Sequence, residues 1–152
     1  MFRAWGLAIA LCSCTEVANE PVANPASKLD EAVFRCNVEP ILARQCSYNG
    51  CHGNAASPLR IYAPGKLRAT PPKNIDEQIA PLTEAEHHAN FASAAGFNFG
   101  VTEVDNNFLL RKPLAAAEGG YEHLGGAIFP SGNDAQYGAI RAWLLGQGKC
   151  AP

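Results

Sequence analysis

The sequence contains no run of basic residues and few charged residues of either sign. Its 152 residues include 12 Lys and Arg against 14 Asp and Glu, a formal net charge of -2. A domain that binds nucleic acid usually carries a concentrated basic surface, so this composition argues against nucleic acid as a partner. The charged fraction of 17% is below the roughly 25% of soluble domains, while 47% apolar residues exclude disorder throughout. The length suits one domain.

Strand patterns and internal repeats are also missing. No segment of useful length alternates apolar and polar residues with a period of two, which is typical of a half-buried strand. Several segments instead carry apolar residues at the three-to-four spacing of a helix face. The sequence therefore predicts a mainly α fold.

The N-terminal segment has the pattern of an export signal. The positive end Met1-Phe2-Arg3 precedes an apolar run, Ala4–Leu11, that is too short to span a bilayer. The next residues, Leu11-Cys12-Ser13-Cys14, resemble a bacterial lipobox, which predicts a signal peptide at 1–13 and lipidation of Cys14. Plain cleavage near Ser13 is the alternative. Residues 14–27 lack a helical period and are predicted to form a lipidated tether, which leaves 28–152 as the domain.

The first helix of the domain is expected between Lys28 and Gln45, where apolar residues recur at helical spacing. Pro40 has no N–H and clashes inside a helix, so we expect a break there and a new helix start near Glu39-Pro40. This second helix would lead directly into Cys46. Residues 53–81 are rich in proline and show no sustained period, so they are predicted to be irregular.

A capping box predicts the next helix. Thr83 and Glu86 have the spacing at which each side chain bonds the backbone of the other, and the helix is expected to reach about Ala95. Its core-facing residues are predicted to be Ala85, Ala89 and Ala92.

Two more helices are expected near the C-terminus. Asp105 or Asn106 is the predicted cap of a short helix that ends before Pro113. Asn133 or Asp134 is the predicted cap of the last helix, which ends at Gly146. That helix carries an apolar stripe formed by Tyr137, Ile140, Trp143 and Leu144.

The most informative segment is Cys46-Ser47-Tyr48-Asn49-Gly50-Cys51-His52, in which a histidine directly follows the second of two cysteines. It resembles the attachment motif of c-type cytochromes, in which two thiols add to haem vinyl groups and the histidine binds iron. The usual motif has two residues between the cysteines, and the four found here match a variant of multihaem bacterial cytochromes. We expect Asn49-Gly50 to loop the extra residues outward through left-handed backbone angles. The alternatives are a zinc site, for which no second ligand pair is present, and a Cys46–Cys51 disulfide.

The resemblance covers roughly residues 34–148. The segments Val38–Leu42, Phe108–Leu114 and Gly119–Gly126, and a closing helix with Trp143, are similar to those of monohaem cytochrome-c-like lipoproteins of environmental bacteria such as myxobacteria and planctomycetes. The resemblance implies a cytochrome-c-like helical domain with long irregular loops around one covalently bound haem c.

The same resemblance raises the question of the sixth iron ligand. Methionine is the usual partner of the motif histidine, but the sequence has one methionine, Met1, within the predicted signal. Glycines flank His123 on both sides and would let the backbone approach a flat haem face, so His123 is the predicted ligand. His87 and His88 lie on a predicted helix, where neighbouring side chains diverge by about 100°. At most one of them could face the iron, and both are expected to face solvent.

Two cysteines remain outside these assignments. The first and last helices pack together in cytochrome-like folds, so the resemblance implies a disulfide between Cys36 and Cys150.

Taken together, these expectations describe an electron carrier and not an enzyme. It would exchange single electrons with redox partner proteins in the periplasm or at the cell surface, held to the membrane by its lipid anchor. Phe108, Tyr137 and Trp143 are candidates for the apolar shell of the haem or for plain core. Two alternatives stay open: a haem-based sensor or ligand-binding module, and a non-haem lipoprotein braced by a Cys46–Cys51 disulfide.

Overall fold

A computed structural model describes residues 29–150, and the predicted signal peptide, the tether and Cys14 lie outside that range. Within it the chain forms a mainly helical small domain. Helix α1 is a continuous rod made of Glu31–Val33, a π-helical turn Phe34–Val38, and Glu39–Gln45. The other helices are α2 (Ile75–Ile79), α3 (Glu84–Ala95), α4 (Phe108–Arg111) and α5 (Ala135–Leu144).

Short 3₁₀ turns lie between these helices, at Gly96–Asn98, Val104–Asn106 and Ala116–Glu118. The part of the chain described here has no strands, and an isolated parallel bridge joins Leu114 to Phe129. Across residues 29–150, no helix combines the length and the apolar character needed to cross a bilayer.

The predicted helix start near Glu39-Pro40 is confirmed, but the expected break before it is not, because a π-helical turn joins the two helical segments. Pro40 sits in the first turn of the Glu39–Gln45 segment, directly after the π-helical turn. In that turn the Glu39 N–H bonds the Phe34 carbonyl, one residue farther back than in an α-helix. This wider turn accommodates a residue that has no N–H to donate, so α1 stays one rod.

Helix α3 starts as predicted but turns a different face inward. The Thr83–Glu86 capping box is present and the helix ends at Ala95. Ala85 and Ala92, however, are exposed and Ala89 is only half-buried, while the buried positions are Glu86, Asn90, Ala94 and Ala95. The predicted inward face of α3 is therefore wrong. This helix packs against irregular chain whose backbone groups need polar side chains as hydrogen-bond partners.

The irregular segment 53–81 is held by those polar side chains. Asn90 accepts the Tyr62 N–H at 2.7 Å and donates to the Tyr62 carbonyl at 2.9 Å. The Arg68 guanidinium forms two hydrogen bonds with the Glu86 carboxylate, both at 2.9 Å. Arg68 also donates to the Glu77 and Ala80 carbonyls, at 2.7 and 3.0 Å, across the unpredicted helix α2.

The two C-terminal helices agree closely with expectation. The cap of α4 is Asn107 and not the predicted Asp105 or Asn106, whereas Asp134 caps α5 as predicted. Gly146 follows α5 with a φ of 68°, which glycine adopts easily. The predicted apolar stripe of α5 is buried, as its residues Tyr137, Ile140, Trp143 and Leu144 show.

Packing of α1 against α5 forms the centre of the core. The Phe34 and Trp143 ring centroids lie 5.1 Å apart, and Phe91 of α3 meets both rings edge-on. The Trp143 indole N–H donates to the Asp30 carbonyl at 3.0 Å, at the start of α1. The Cys36–Cys150 disulfide, with Cα atoms 5.7 Å apart, ties the chain beyond α5 to α1, as the resemblance implied.

Candidate functional site

The Cys46–His52 loop begins where α1 ends. Cys46 is the C-terminal cap of α1, with its N–H bonded to the Leu42 carbonyl at 2.9 Å. The Tyr48 carbonyl then accepts the N–H groups of Cys51 and Gly53, at 2.8 and 3.0 Å. These bonds bend the loop into a tight double turn that brings Cys51 and His52 back beside Cys46.

The glycine that this turn requires is not the predicted one. Neither Asn49 nor Gly50 has a positive φ, so the left-handed loop expected there is wrong. The critical glycine is Gly53, because a Cβ at that position would collide with the Ser47 backbone carbonyl. The extra residues are thus accommodated by close backbone contact between the two ends of the loop.

A lysine from the irregular segment supports the loop from outside. The Lys66 ammonium lies 3.8 Å from the centroid of the Tyr48 ring and donates to the Ala43 carbonyl at 2.8 Å. It therefore satisfies a carbonyl at the C-terminal end of α1, where a positive charge is stabilising.

A cavity of about 420 Å³ lies beside this loop. Cys46, Cys51, His52 and His123, the four residues predicted to hold a haem, all line it. The rest of its wall is mostly apolar and includes Leu42, Leu59, Phe97, Leu109, Phe129 and Ile140. This combination of an apolar wall with a few convergent polar groups is typical of a ligand or cofactor site.

His52 is held in one orientation. Its Nδ1 lies 2.9 Å from the Leu59 carbonyl and 3.1 Å from the Ser57 hydroxyl. Because a carbonyl only accepts, Nδ1 carries the proton and Nε2 keeps its lone pair. Burial lowers the pKa of His52 below 6.5, opposed by the hydrogen bond to Leu59 and reinforced by the charge of His123. The ring is therefore neutral at pH 7, the form in which imidazole binds a metal ion.

His123 lies across from His52. The two ring centroids are 6.0 Å apart and the ring planes differ by 12°. His123 Nδ1 has a weak contact of 3.4 Å with the Gly126 carbonyl. The glycine spacing matters locally, because a Cβ at Gly125 would press on the His123 ring.

The other two histidines lie away from the cavity wall. His88 is exposed, as predicted, and its Nδ1 lies 3.0 Å from a Glu31 oxygen. His87 is only partly exposed, so the expectation that it faces solvent is incomplete. Its Nδ1 lies 2.6 Å from Glu39, a buried carboxylate that also accepts a hydrogen bond from Asn90.

The cysteines of the loop are free thiols. Cys46 and Cys51 are not bonded to each other. Burial raises the pKa of Cys46 to about 11, helped by Cys51 and opposed by Lys66, so its thiol stays protonated at neutral pH. Among residues 29–150 no group of three or more His, Cys, Asp or Glu side chains could hold a metal ion.

The structure also assigns the aromatic residues whose role was open. Phe108 lines the cavity, whereas Tyr137 and Trp143 are buried in the core. Leu42 also lines the cavity, and its position one helical turn before Cys46, on the same side of α1, is a sequence signal for this role. Phe97 and Phe129 had no such signal, because loops bring them to the cavity.

Comparison with protein-family models, curated proteins and solved structures found no match for this chain.

Proposed function

We propose that this domain binds one c-type haem covalently through Cys46 and Cys51 and works as a one-electron carrier. The observation that carries the proposal is the convergence of two free thiols and two imidazoles on one apolar cavity. A haem, when bound, supplies reversible one-electron Fe(III)/Fe(II) chemistry.

The residues fit such a group. Each thiol would add its S–H across one vinyl double bond, so attachment needs two free thiols and releases nothing. His52 and His123 would hold the iron of such a group, because both line the cavity and their ring centroids lie 6.0 Å apart.

The chain's own groups would set the properties of the site. Leu59 and Ser57 orient the His52 ring and raise its basicity as a ligand. The apolar wall excludes water and lowers the local dielectric constant. Two imidazole ligands would hold the potential below that of a histidine and methionine pair.

The cellular setting belongs to the same proposal. Export would bring the chain to the compartment where the Cys36–Cys150 disulfide persists. Lipidation at Cys14 would hold the domain at a membrane surface in the periplasm or on the cell surface, within reach of redox partner proteins. The cytochrome-c-like fold is part of the proposal as well.

The test is production of the full chain in a host with and without cytochrome maturation machinery. We expect the denatured polypeptide to gain the mass of one haem only when the machinery is present, and to stain for haem on a denaturing gel. The pyridine haemochrome spectrum reports how many vinyl groups have reacted.

Cysteine variants sharpen this test. Cys46→Ala or Cys51→Ala should leave one thioether, and the double variant none. The matched control is Cys36→Ser with Cys150→Ser, which removes the same number of sulfur atoms outside the cavity. Because a thioether survives unfolding, this variant should keep the mass of the covalent haem even though its fold is destabilised. A wild-type chain that gains no mass in the competent host would refute the proposal.

A further inference from the structure

The two cavity histidines are held very differently. His52 has two side-chain partners, and its own backbone is tied on both sides: its N–H bonds the Cys46 carbonyl at 3.0 Å and its carbonyl accepts the Ile61 N–H at 2.8 Å. His123 has one side-chain contact, at 3.4 Å, to a carbonyl within its own turn.

The segment that carries His123 is attached at its ends. The Tyr121 N–H bonds the Arg111 carbonyl and the Ile128 N–H bonds the Pro113 carbonyl, both at 2.8 Å. Within residues 122–127, the backbone bond present joins the Gly126 N–H to the His123 carbonyl and so stays inside the turn.

The exposure of its side chains also indicates that this segment is weakly attached to the rest of the domain. Every residue of 122–127 except His123 is exposed, and Leu124 is fully so. Gly126 has a φ of 74°, in the region that glycine enters without strain. A segment with few buried contacts and a glycine turn opens locally at much lower cost than the core.

Opening of this segment would withdraw His123 and Gly125 from the cavity wall. Phe108, Ile128 and Phe129 also line this cavity, and Lys112 is the one lysine or arginine among its lining residues. A mostly apolar wall favours small uncharged ligands, because they have no tightly bound hydration shell to lose on entering it.

We propose that His123 is a displaceable iron ligand, so that the site also binds small neutral ligands such as carbon monoxide or nitric oxide on reduced haem. The proposal rests on the proposed function. His52 stays bound while the 122–127 segment swings outward and returns.

The test uses holoprotein whose covalent haem has been verified by mass, reduced with dithionite and mixed with carbon monoxide in a stopped-flow spectrometer. We expect the wild-type rate to reach a plateau as the carbon monoxide concentration rises, because departure of His123 becomes limiting. His123→Ala should bind faster, with a rate that stays proportional to concentration. His88→Ala, which removes an exposed histidine outside the cavity, should behave as wild type.

A second variant tests the segment itself. The Tyr121 ring lies 3.9 Å from the Arg111 guanidinium and meets the Phe108 ring edge-on, so these contacts clamp one end of the segment. Tyr121→Ala should raise the plateau rate about tenfold.

The outcomes are distinguishable. A wild-type protein that shows no spectral change at saturating carbon monoxide would overturn the inference and leave electron transfer standing. So would a six-coordinate spectrum unchanged by His123→Ala, since another group would then be the ligand. A chain without covalent haem would instead refute the proposed function.

Discussion

Replacing Glu86 with Gln removes the negative charge from a buried ion pair while keeping the size of the side chain. The Glu86 and Arg68 side chains are 3% and 8% exposed, and the carboxylate also accepts N–H groups from Ala69 and Thr83 at 2.9 Å. Glutamine is accepted at the third position of a capping box, so Glu86→Gln can keep the start of α3. The guanidinium of Arg68 would remain buried without its counter-charge.

The pKa of Glu86 gives the magnitude. Hydrogen bonding from Arg68 lowers it from 4.5 to about 2, against the effect of burial and with help from Thr83 and Ala69. A carboxyl whose pKa is lower in the folded state stabilises the fold above its unfolded pKa. By linkage the contribution is about 3 kcal/mol at pH 7 and about 1.4 kcal/mol at pH 3, lost as the pH falls from about 5 towards 2.

Urea denaturation at pH 7 and pH 3 measures this difference. We expect Glu86→Gln to lower the free energy of unfolding by about 3 kcal/mol or more at pH 7, and by about 2 kcal/mol less at pH 3. The matched control is Glu84→Gln in the same helical turn, whose side chain is 87% exposed in its pair with Arg35. That surface pair should contribute about 0 to 1 kcal/mol. Parallel losses of stability in wild type and Glu86→Gln between the two pH values would refute the reasoning.

Two further predictions concern the frame of the domain. Replacing both Cys36 and Cys150 with Ser removes a cross-link between residues 114 positions apart. In the chain-entropy model this should lower the free energy of unfolding, measured by urea denaturation, by about 5 kcal/mol. A loss below about 1 kcal/mol would contradict the prediction. Asp134→Ala removes a carboxylate that accepts the Gln136 N–H at 2.8 Å and the Tyr137 N–H at 3.2 Å. The free energy of unfolding should fall by about 1 kcal/mol, which thermal denaturation detects as a lower melting temperature. Asn133→Ala, one residue earlier, is its control and should change little.

The helices whose ends carry short-range signals were predictable from sequence. The Thr83–Glu86 box, the Asp134 cap and the Gly146 stop each act within one turn, so neighbouring residues suffice to specify them. The buried stripe of α5 followed from its spacing for the same reason.

The wrong predictions concern segments whose structure depends on contacts with residues far away in the sequence. The buried positions of α3 include Glu86 and Asn90, because their side chains bond Arg68 and Tyr62 of the irregular segment, which no helical period reveals. At Pro40 an α-helical segment begins as predicted, but the chain before it stays helical through a π-helical turn that packs against α3 and α5. Local rules rank conformations of an isolated segment, and tertiary contacts can reverse that ranking.

The sequence alone determined which chemical groups stand together in the loop: two thiols, with an imidazole directly after the second. It did so because covalent adjacency needs no folding. Only the tertiary structure decided that His123 faces His52 at 6.0 Å and that Phe97 and Phe129 complete an apolar wall around them. Those positions depend on how helices and loops far apart in the chain pack, and packing is settled by the shape of the whole core.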